Sequence, residues 1–393
     1  MANQVVFVSA VRTAIGSFGR SLKDVPATRL ATTALEAAVK RAGVEPSRVG
    51  HVVFGNVIHG EPRDAYLSRV AAIEGGLGHQ TPCLTLNRLC GSGLQAIVSA
   101  AQAVMLGDTD CAVAGGAESM SRGGYLLPAL REGQRLGDAG VTDMVVGVLT
   151  DPFGNGHMGI TAENVARQMG VGREQQDRFA AESHRRAASA IQEGRFKAQI
   201  VPVEIKSKKG SVFFDQDEHV RPDVTVEGLS ALRPAFTKDG TVTPGNASGL
   251  NDGAAALVLM EDRAARADGR EIQGRVVAYA HSGIDPAVMG LGPVEATRKA
   301  LTRAGIGVAD LKVVESNEAF AAQACAVAKE LGLPPEIANP NGGAIALGHP
   351  IGATGAILAV KALYELQRVG GGYGLITMCI GGGQGIALVV KVD

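Results

Sequence analysis

The strongest constraint on the fold is that the chain repeats itself. The stretch ALEAAVKRAGVEPSRVGHVVFGN, which ends at Asn56, and the stretch ATRKALTRAGIGVADLKVVESN, which ends at Asn317, each have the pattern of a helix, an Arg-Ala-Gly cap, a short loop and a strand. Two further pairs follow in the same order, LCGSGLQAIVSAAQAV with LGHPIGATGAILAVKAL and CAVAGGAES with ITMCIGGGQG. Chance similarity is common among Ala- and Gly-rich segments, but three blocks in one order favour duplication. The chain is therefore predicted to contain two related halves that face one another.

The periodicity of the apolar residues predicts the fold class. Short Val-rich runs such as QVVFVSA, HVVFGNV and KVVESN alternate with Ala- and Leu-rich stretches of helical period such as ATRLATTALEAAVKRAG. This alternation is typical of βαβ units built around buried sheets. The 53 glycines cluster near the ends of the predicted strands, where α/β proteins place their binding sites. The expected class is α/β.

The middle of the chain has a different character. Between roughly 120 and 250 the sequence becomes charged and Met-rich, with an amphipathic helix predicted over 172–194 and a hairpin-like stretch, VPVEIKSKKGSVFFDQDEHVRP. The strand pattern resumes at NASGLNDGAAALVLMED, where Ala254 to Met260 is predicted to be a buried strand. We therefore predict three units, which are a first half formed by 1–120 plus 250–270, an inserted loop domain over 121–249, and a second half over 271–393.

The charge and the cysteines exclude several classes of protein. Thirty-eight basic and 39 acidic residues give a net charge of -1, so no global field attracts nucleic acid or an anionic membrane. Five widely spaced cysteines without a CxxC pair predict neither a disulfide framework nor a zinc ribbon, and reduced thiols are the simplest interpretation. We see no signal or transit pattern and expect no membrane-spanning run. These observations predict a cytoplasmic protein with small-molecule ligands.

Cys90 is the first candidate for chemistry. It lies at the predicted start of an apolar helix whose Leu94 would face a core. The positive pole of that helix and its unpaired N–H groups favour the thiolate over the thiol, and Gly91 and Gly93 would let a substrate approach the backbone. Taken alone, a small buried structural cysteine is the stronger interpretation, because free cysteine is among the most buried residue types.

His349 and Cys379 occupy corresponding places in the second half. His349 lies in the glycine-rich stretch NGGAIALGHPIGATG just before another apolar helix, and an imidazole there tends to stay neutral and can serve as a base. Cys379 ends the strand in TMCIGGGQG, beside three glycines whose N–H groups could form an oxyanion hole. A capping or packing histidine and a buried strand-end cysteine are the alternatives.

Asn317 and Glu318 follow the predicted strand LKVVES and precede a helix. Asn317 could be an ordinary N-cap, a position that asparagine suits well. Glu318 could be an acid of the first helical turn that the helix dipole favours, without a catalytic role. Cys90, His349, Cys379 and Asn317 nevertheless all fall at strand ends or strand-to-helix turns of two related halves, and this coincidence favours a shared site.

At this point the chain resembles the thiolases along essentially its whole length. The matching stretches are RTAIGSFG, NRLCGSG, GGAESMS, GTVTPGNASGLNDGAAA, NEAFAAQ, NGGAIALGHPIGATG and CIGGGQG. The resemblance implies two duplicated βαβαβαββ halves in a five-layered α-β-α-β-α core, an inserted loop domain that binds coenzyme A and makes tetramer contacts, and a homotetramer built as a dimer of dimers.

The resemblance also implies a role for each polar residue. Cys90 would be the nucleophile that carries the acyl group as a thioester, and His349 would activate it. Cys379 would move the α-proton of the second acyl-CoA, while His349 and Asn317, through a held water, stabilise the enolate oxygen. The N–H groups of Cys90 and Gly381 would form a second oxyanion hole. A soft thiol suits reversible thioester chemistry, and neither step calls for a metal or another cofactor.

For coenzyme A, the resemblance implies a tunnel between the loop domain and the core. Arg221 would hold the nucleotide end, although a solvated surface arginine is its ordinary interpretation, and Ser248 would hydrogen-bond the pantetheine amides. Pro244 and Gly228 depart from the residues that many relatives carry, Ala and Ser, and weaken individual contacts only. The full set of expected coenzyme A contacts is Leu149, His157, Met158, Arg221, Phe236, Ser248, Ala319 and Phe320.

Three other functions fit the sequence less well. A cysteine hydrolase or a decarboxylating ketosynthase gives Cys379 no role, and an inactive acyl-CoA-binding scaffold would lose the polar residues that are present. The acyl chain length and the direction of the reaction are less constrained. Tyr66 with Leu67, and the adaptable Met158, suggest a short-chain enzyme with some breadth, whereas a degradative thiolase for medium or long 3-ketoacyl chains is the alternative.

Overall fold

In the computed structural model, residues 3–207 and 210–393 are described. The strands, in chain order, are β1 Val5–Thr13, β2 Gly16–Ser17, β3 His51–Gly55, β4 Cys83–Leu86, β5 Cys111–Ser119, β6 Tyr125–Leu126, β7 Thr142–Asp143, β8 Thr150–Asp151, β9 Gly156–His157, β10 Ile200–Val201, β11 Val203–Ser207, β12 Gly210–Phe214, β13 Asn251–Glu261, β14 Gly274–Gly283, β15 Leu311–Ser316, β16 Gly372–Ile380 and β17 Gln384–Val392.

The helices alternate with the long strands in both halves. They are α1 Ala27–Ala42, α2 Leu67–Glu74, α3 Ser92–Leu106, α4 Met144–Val148, α5 Met158–Met169, α6 Arg173–Gln192, α7 Val226–Ser230, α8 Asp262–Ala267, α9 Gly292–Ala304, α10 Ala321–Leu331, α11 Ala344–Leu347 and α12 Thr354–Arg368. The α/β class predicted from the periodicity is confirmed. The helix predicted over 172–194 is α6, and the predicted hairpin is formed by β11 and β12, although its residues 208 and 209 lie outside the described part.

The strand order shows the duplication directly. In the first half the strands lie side by side as β4-β3-β5-β13-β1, and in the second half as β15-β16-β17-β14, with a further bridge from Val314 to Ala338 in the place that β4 occupies in the first half. Parallel and antiparallel pairings also agree, because β3–β5 and β15–β16 are parallel whereas β5–β13 and β16–β17 are antiparallel. The two halves join through a short pairing of β1 with β14.

The apolar residues form three main layers of core. One cluster packs α1 against one face of the first sheet half, and another packs α9 against one face of the second. Between them, a large cluster joins α3 and α12 to the inward faces of both halves. The two inner helices approach closely at their first turns: a side chain at Gly93 would lie 2.7 Å from the backbone N of Ala356, and one at Gly355 would lie 2.3 Å from that of Leu94.

This packing corrects two expectations. Gly93 makes room for the opposite helix and Gly91 for Ile380, whose Cδ1 would lie 2.5 Å from an added Cβ, so their small size serves packing rather than substrate approach. Residues 89–106 do form an uncharged, apolar run long enough to cross a membrane, contrary to the prediction. More than half of that window is buried inside the protein, where it forms the core helix α3.

Candidate active site

One cavity lies where the ends of the second-half strands meet the turn before α3. It is enclosed by polar groups from both halves and by apolar side chains from the 144–160 region, and its lining is Leu89, Cys90, Val148, Leu149, Met158, Ser248, Met289, Ala319, Phe320, His349, Ile351, Cys379 and Gly381. Hereafter it is called the central cavity. Three of the four polar residues singled out in the sequence line it directly, and the fourth, Asn317, contacts His349.

Cys90 lies in a tight turn between β4 and α3. The preceding Leu89 has a positive φ of 47°, which is uncommon outside glycine, and the Asn87 Oδ1 accepts a hydrogen bond from its N–H at 2.8 Å. Ser92 closes the turn, since its Oγ accepts from the Arg88 N–H at 2.8 Å and donates to the Leu89 carbonyl at 2.7 Å. These bonds fix the position of the thiol just before the N-terminus of α3.

The helix does not make Cys90 acidic, contrary to the prediction. Burial, with a smaller contribution from the buried Glu118 carboxylate, raises the pKa of Cys90 to about 11, although the N–H groups of Gly381 and of Cys90 itself oppose this shift. The residue precedes α3 by two positions, so desolvation outweighs the pole of the helix. Two N–H groups nevertheless point at the sulfur, and they would face the carbonyl oxygen of an acyl group attached to it.

The hydrogen bonds of His349 determine which ring nitrogen carries the proton. Its Nδ1 lies 2.6 Å from the Thr354 Oγ1, whose own hydrogen is donated to the Pro350 carbonyl at 2.9 Å. The threonine hydroxyl has no second hydrogen, so Nδ1 is the donor and Nε2 carries the lone pair. Burial lowers the pKa of His349 to about 4. The imidazole is therefore neutral, as predicted, and its basic nitrogen is Nε2.

Asn317 faces that basic nitrogen. Its Nδ2 lies 3.3 Å from the His349 Nε2, its backbone N–H donates to the Thr377 carbonyl, and the side chain is fully buried. Its Oδ1 is buried without a hydrogen-bond partner among the described residues, so it can receive a donor that enters the site. The alternative role of N-cap is wrong, because α10 begins four residues later and Phe320 occupies the cap position.

Cys379 is the most deeply buried of these groups. It lies one residue before the end of β16 and is 1% exposed. Burial raises the pKa of the Cys379 thiol far above its ordinary value, and the neighbouring Cys90 raises it further. No hydrogen bond joins Cys90 to His349 or Cys379 in the described part of the chain, although all three line the same cavity. Catalytic hydrogen bonds often form only when a substrate binds.

Glu318 does not lie in a first helical turn, which corrects the second alternative. Its carboxylate is buried behind the Asn317 turn, where it accepts hydrogen bonds from the Ser183 Oγ at 2.7 Å, the Asn339 Nδ2 at 2.8 Å and the Ile345 N–H at 3.3 Å. Burial raises its pKa. It ties the Asn317 turn to α6 and to the segment that leads to His349.

The residues expected to bind coenzyme A divide into three groups. Five line the central cavity, and they are Leu149, Met158, Ser248, Ala319 and Phe320. Two more flank it: His157 stacks on Phe236 with ring centroids 4.8 Å apart, and Phe236 meets Phe320 edge to face. The Ser248 N–H is occupied by the Ala319 carbonyl at 3.0 Å, which leaves the Ser248 hydroxyl for a ligand.

Arg221 lies apart from the cavity lining. It is exposed on the surface, its backbone N–H donates to the His184 Nδ1 at 3.2 Å, and its guanidinium takes part in no ion pair within residues 3–207 and 210–393. Its charge lowers the pKa of His184 and of His219, secondary to their burial. A free cation beside two neutral imidazoles is compatible with an anionic ligand and with plain solvation alike.

The sequence did not identify several residues that shape the site. Met289 and Ile351 line the cavity, Thr354 sets the tautomer of His349, and the Asn251 Oδ1 accepts the His349 N–H at 2.9 Å. Thr354 and Ile351 fall inside the quoted GHPIGATG stretch, so the motif marked their place without their role. Tyr66 and Leu67, used to predict chain length, lie outside the cavity lining: Tyr66 is 67% exposed, and Leu67 packs in the outer core of the first half.

Two family models together match nearly the whole chain. The model described as "Thiolase, N-terminal domain" matches residues 5–263, and the model described as "Thiolase, C-terminal domain" matches residues 270–392. The division between them falls in the connection from α8 to β14, at the junction of the two related halves.

Individual relatives are similar over their full length. A beta-ketothiolase from Cupriavidus necator, BktB, is 62% identical over 392 residues and covers 100% of both chains. The crystal structure of the Bacillus anthracis acetyl-CoA acetyltransferase superposes with a TM-score of 0.97 at 46% identity and 99% coverage of each chain. Human mitochondrial 3-ketoacyl-CoA thiolase, solved in complex with CoA, gives a TM-score of 0.96 at 41% identity, covering 100% of this chain and 98% of its own.

Proposed function

Because this chain belongs to the thiolase family and is an acyltransferase, we propose that it catalyses the reversible Claisen condensation of an acyl-CoA with acetyl-CoA. The reverse direction is thiolysis of a 3-ketoacyl-CoA. The reaction is ping-pong and passes through an acyl group on Cys90. The observation that carries the proposal is that two thiols and one neutral imidazole, from two halves of the chain, line the same cavity.

The acylation step uses Cys90 and His349. The Cys90 sulfur forms a bond to the thioester carbon and its proton passes to the His349 Nε2. The bond from that carbon to the CoA sulfur breaks, and the CoA sulfur leaves with the proton from Nε2, so that His349 is neutral again. The high pKa of Cys90 means that the thiol stays protonated until this transfer. The N–H groups of Cys90 and Gly381 stabilise the oxyanion, a kind of contact that contributes roughly 10²–10³-fold to rate.

The condensation step uses Cys379 and Asn317. The Cys379 thiol first gives its proton to the His349 Nε2, and the thiolate that forms removes the α-proton of the second acetyl-CoA. Burial makes this thiolate a stronger base than an exposed one. The enolate oxygen lies against the His349 Nε2, which then holds a proton, and against a water held by Asn317. The carbanion attacks the acyl carbon on Cys90, and the bond from that carbon to the Cys90 sulfur breaks. The sulfur takes the proton from the His349 Nε2, which leaves both cysteines as thiols and His349 neutral.

Coenzyme A is the carrier that the cavity and its entrance accommodate. Ser248 is suited to the pantetheine amides, the stacked His157 and Phe236 form one wall of the entrance, and Arg221 is suited to the nucleotide phosphates. The likeness to a human thiolase solved in complex with CoA supports this assignment. We propose no metal and no cofactor beyond the CoA thioesters themselves.

We propose a preference for short acyl chains with some breadth. Met158 and Met289 line it together, and methionine side chains adapt their shape to a ligand at small cost. Each added methylene that fits contributes about 0.8 kcal/mol, whereas overpacking costs roughly 1–3 kcal/mol. We expect good turnover of C4 and C5 ketoacyl-CoA and usable turnover of C6.

Assembly and location complete the proposal. Exposed apolar side chains gather in the loop region after β5, where Leu136 is 91% exposed and Tyr125, Leu126 and Leu130 are exposed as well. Such a patch is typical of an interface, and it supports a homotetramer in which the loop domain, residues 121–249, makes contacts between subunits. We propose a cytoplasmic enzyme.

The acyl-enzyme is the test of this mechanism. Incubation with acetyl-CoA followed by acid quenching and intact-mass spectrometry should find one acetyl group on the wild type and none on Cys90→Ser, which should lose at least about 10³-fold in thiolysis. Cys83→Ser is the matched control, because Cys83 is also partly exposed but lies outside the cavity. An acetyl group that persists on Cys90→Ser, or activity near that of the wild type, would refute the assignment.

The chain-length proposal has its own measurement. We expect the thiolysis kcat/KM to hold or rise from the C4 to the C6 substrate and to fall by C10. A drop of more than tenfold at C5 would indicate a strict acetoacetyl-CoA enzyme, and a continued rise through C10 would indicate a degradative long-chain thiolase.

A further inference from the structure

The duplicated strands assign a partner to each active-site residue of the second half. In the parallel pairings, Gly55 lies opposite Gly116 and Ser316 lies opposite Thr377. Counting on from these pairs, Asn56 corresponds to Asn317, and Glu118 corresponds to Cys379. The first half therefore carries a carboxylate at the position where the second half carries the proposed acid/base thiol.

Glu118 is fully buried and holds a complete set of hydrogen bonds. Its Oε1 accepts from the Asn56 Nδ2 and the Ile58 N–H, both at 3.1 Å. Its Oε2 accepts from the Val57 N–H at 3.1 Å and from the Gly352 N–H at 2.9 Å. No ion pair involves it in the described part of the chain. Burial raises the pKa of Glu118 to about 8, but the four donors use all of its acceptor positions and leave none for a proton, so the pocket favours the anion.

These bonds join the two halves of the active site. Val57 and Ile58 belong to the first half, whereas Gly352 lies three residues after His349 on the segment that leads into α12. The contact is tight, because a side chain at position 352 would lie 2.6 Å from the Glu118 Oε2 and 3.0 Å from the Asn56 Cα. Glu118 thus holds the segment that carries the imidazole against the half that carries the nucleophile.

Burying a carboxylate without an ion-pair partner is costly, so the presence of Glu118 at this position requires a physical reason. A glutamine would present an NH₂ group to two of the four donors, and an apolar residue would leave all four N–H groups without an acceptor. We therefore expect that burial of this carboxylate is tolerated because the placement of the segments it binds matters for the site. We propose that Glu118 is a positioning residue, which holds the 349–352 segment so that the His349 Nε2 faces Cys90 across the boundary between the halves. This inference rests on the function proposed above.

The charge of Glu118 provides a second readout. After burial and the two N–H groups, the Glu118 carboxylate is the remaining influence on the pKa of Cys90, and it raises that pKa. The titratable groups that line the cavity with Cys90 are His349 and Cys379, and both stay unchanged in the variants below. Removing the anion should shift the pH profile of Cys90 alkylation toward lower pH, whereas a purely packing role would leave the profile in place.

Two variants separate position from charge. Glu118→Gln removes the anion and disturbs the bond to Gly352, whereas Gly352→Ala displaces the same bond and keeps the anion. Both should slow single-turnover acetylation of Cys90 by about 10- to 100-fold, the usual effect of misplacing a catalytic group by about 1 Å. The KM for acetyl-CoA should change less than about threefold, because the CoA contacts lie elsewhere. Only Glu118→Gln should shift the pH profile of Cys90 alkylation by iodoacetamide toward lower pH.

Asp64→Asn is the matched control. Asp64 is also a buried carboxylate that accepts two backbone N–H groups, from Gly60 and Glu61, but it lies outside the cavity. Its acetylation rate should match that of the wild type. The inference is wrong if folded Glu118→Gln acetylates Cys90 at a rate within threefold of the wild type, or if its loss of rate is no larger than that of Asp64→Asn. If Glu118→Gln does not fold, Gly352→Ala decides by the same criterion. Wild type that forms no acetyl-Cys90 would instead refute the proposed function.

Discussion

The ends of β5 and β16 are the same place in two copies of one fold, yet they hold opposite kinds of group. At the end of β5, Glu118 is saturated with four hydrogen bonds and has no face open to a ligand. At the end of β16, Cys379 is equally buried but borders the central cavity. Burial alone therefore does not distinguish a structural group from a reactive one; the number of partners and the presence of a cavity do.

The two asparagines show the same contrast. The Asn56 Nδ2 is shared between the Ala117 carbonyl and Glu118, so it holds the backbone. The Asn317 Nδ2 faces only the His349 Nε2, and its Oδ1 has no partner among the described residues. In the proposed mechanism, the first half uses its polar strand ends for structure and contributes the nucleophile from a turn, while the second half uses its strand ends for proton transfer.

The largest expected effect follows from this division. Cys379→Ser should lower condensation by roughly 10³-fold, because a hydroxyl at this buried site is a far weaker acid/base than the thiol. Acetylation of Cys90 should persist, since Cys379 takes no part in it. Intact-mass spectrometry after acetyl-CoA and hydrogen–deuterium exchange at the acetyl methyl group measure the two half-reactions separately. Loss of the acetyl-enzyme together with exchange would mean that the two thiols do not have separate roles.

A smaller effect separates the two asparagines. Asn317→Ala should lower condensation by about 10²-fold, because one donor to the enolate oxygen is lost, with little change in unfolding free energy. Asn56→Ala should change the condensation rate little and lower the free energy of unfolding by about 1–3 kcal/mol. The substitution leaves the Ala117 carbonyl without the Asn56 donor and Glu118 with one donor fewer. Urea unfolding and steady-state rates on both variants check this. Equal loss of stability in the two would contradict the division.

The sequence was sufficient to predict much of this arrangement. The repeat around Asn56 and Asn317 predicted the paired halves. The strand-end positions of Asn317 and Cys379 predicted a shared site, and in the structure Cys379 lines the cavity while Asn317 reaches it through His349. The boundaries of the inserted loop domain stay a prediction. The role of Glu118 could not be read from GGAES, because its partner Gly352 lies 234 positions away and the direction of each side chain depends on the closed fold.

Electrostatics was the least predictable feature. The pattern before α3 favoured a thiolate at Cys90, but a sequence does not give the depth of burial, and desolvation exceeds the influence of the helix. The neutral His349 was predicted from its place before a helix, and the prediction is confirmed because burial acts in the same direction. For the chain length, Tyr66 was a wrong guide, since proximity in the sequence to an active-site strand does not place a side chain in the cavity.

The smallest expected effect is the pH dependence of Cys90 alkylation in the enzyme without substrate, and its measurement requires no variant. With a pKa of about 11, Cys90 is almost entirely protonated at neutral pH, and its thiolate fraction rises about tenfold for each pH unit well below that value. The rate of alkylation by iodoacetamide at Cys90, followed by peptide mapping, should therefore keep rising between pH 7 and pH 10. If the helix or a charged His349 instead stabilised a thiolate, the rate would level off at a much lower pH. A profile that levels off near pH 7 would show that the nucleophile is ionised before substrate binds, and that its proton leaves without the transfer to Nε2 on which the proposed division between the halves depends.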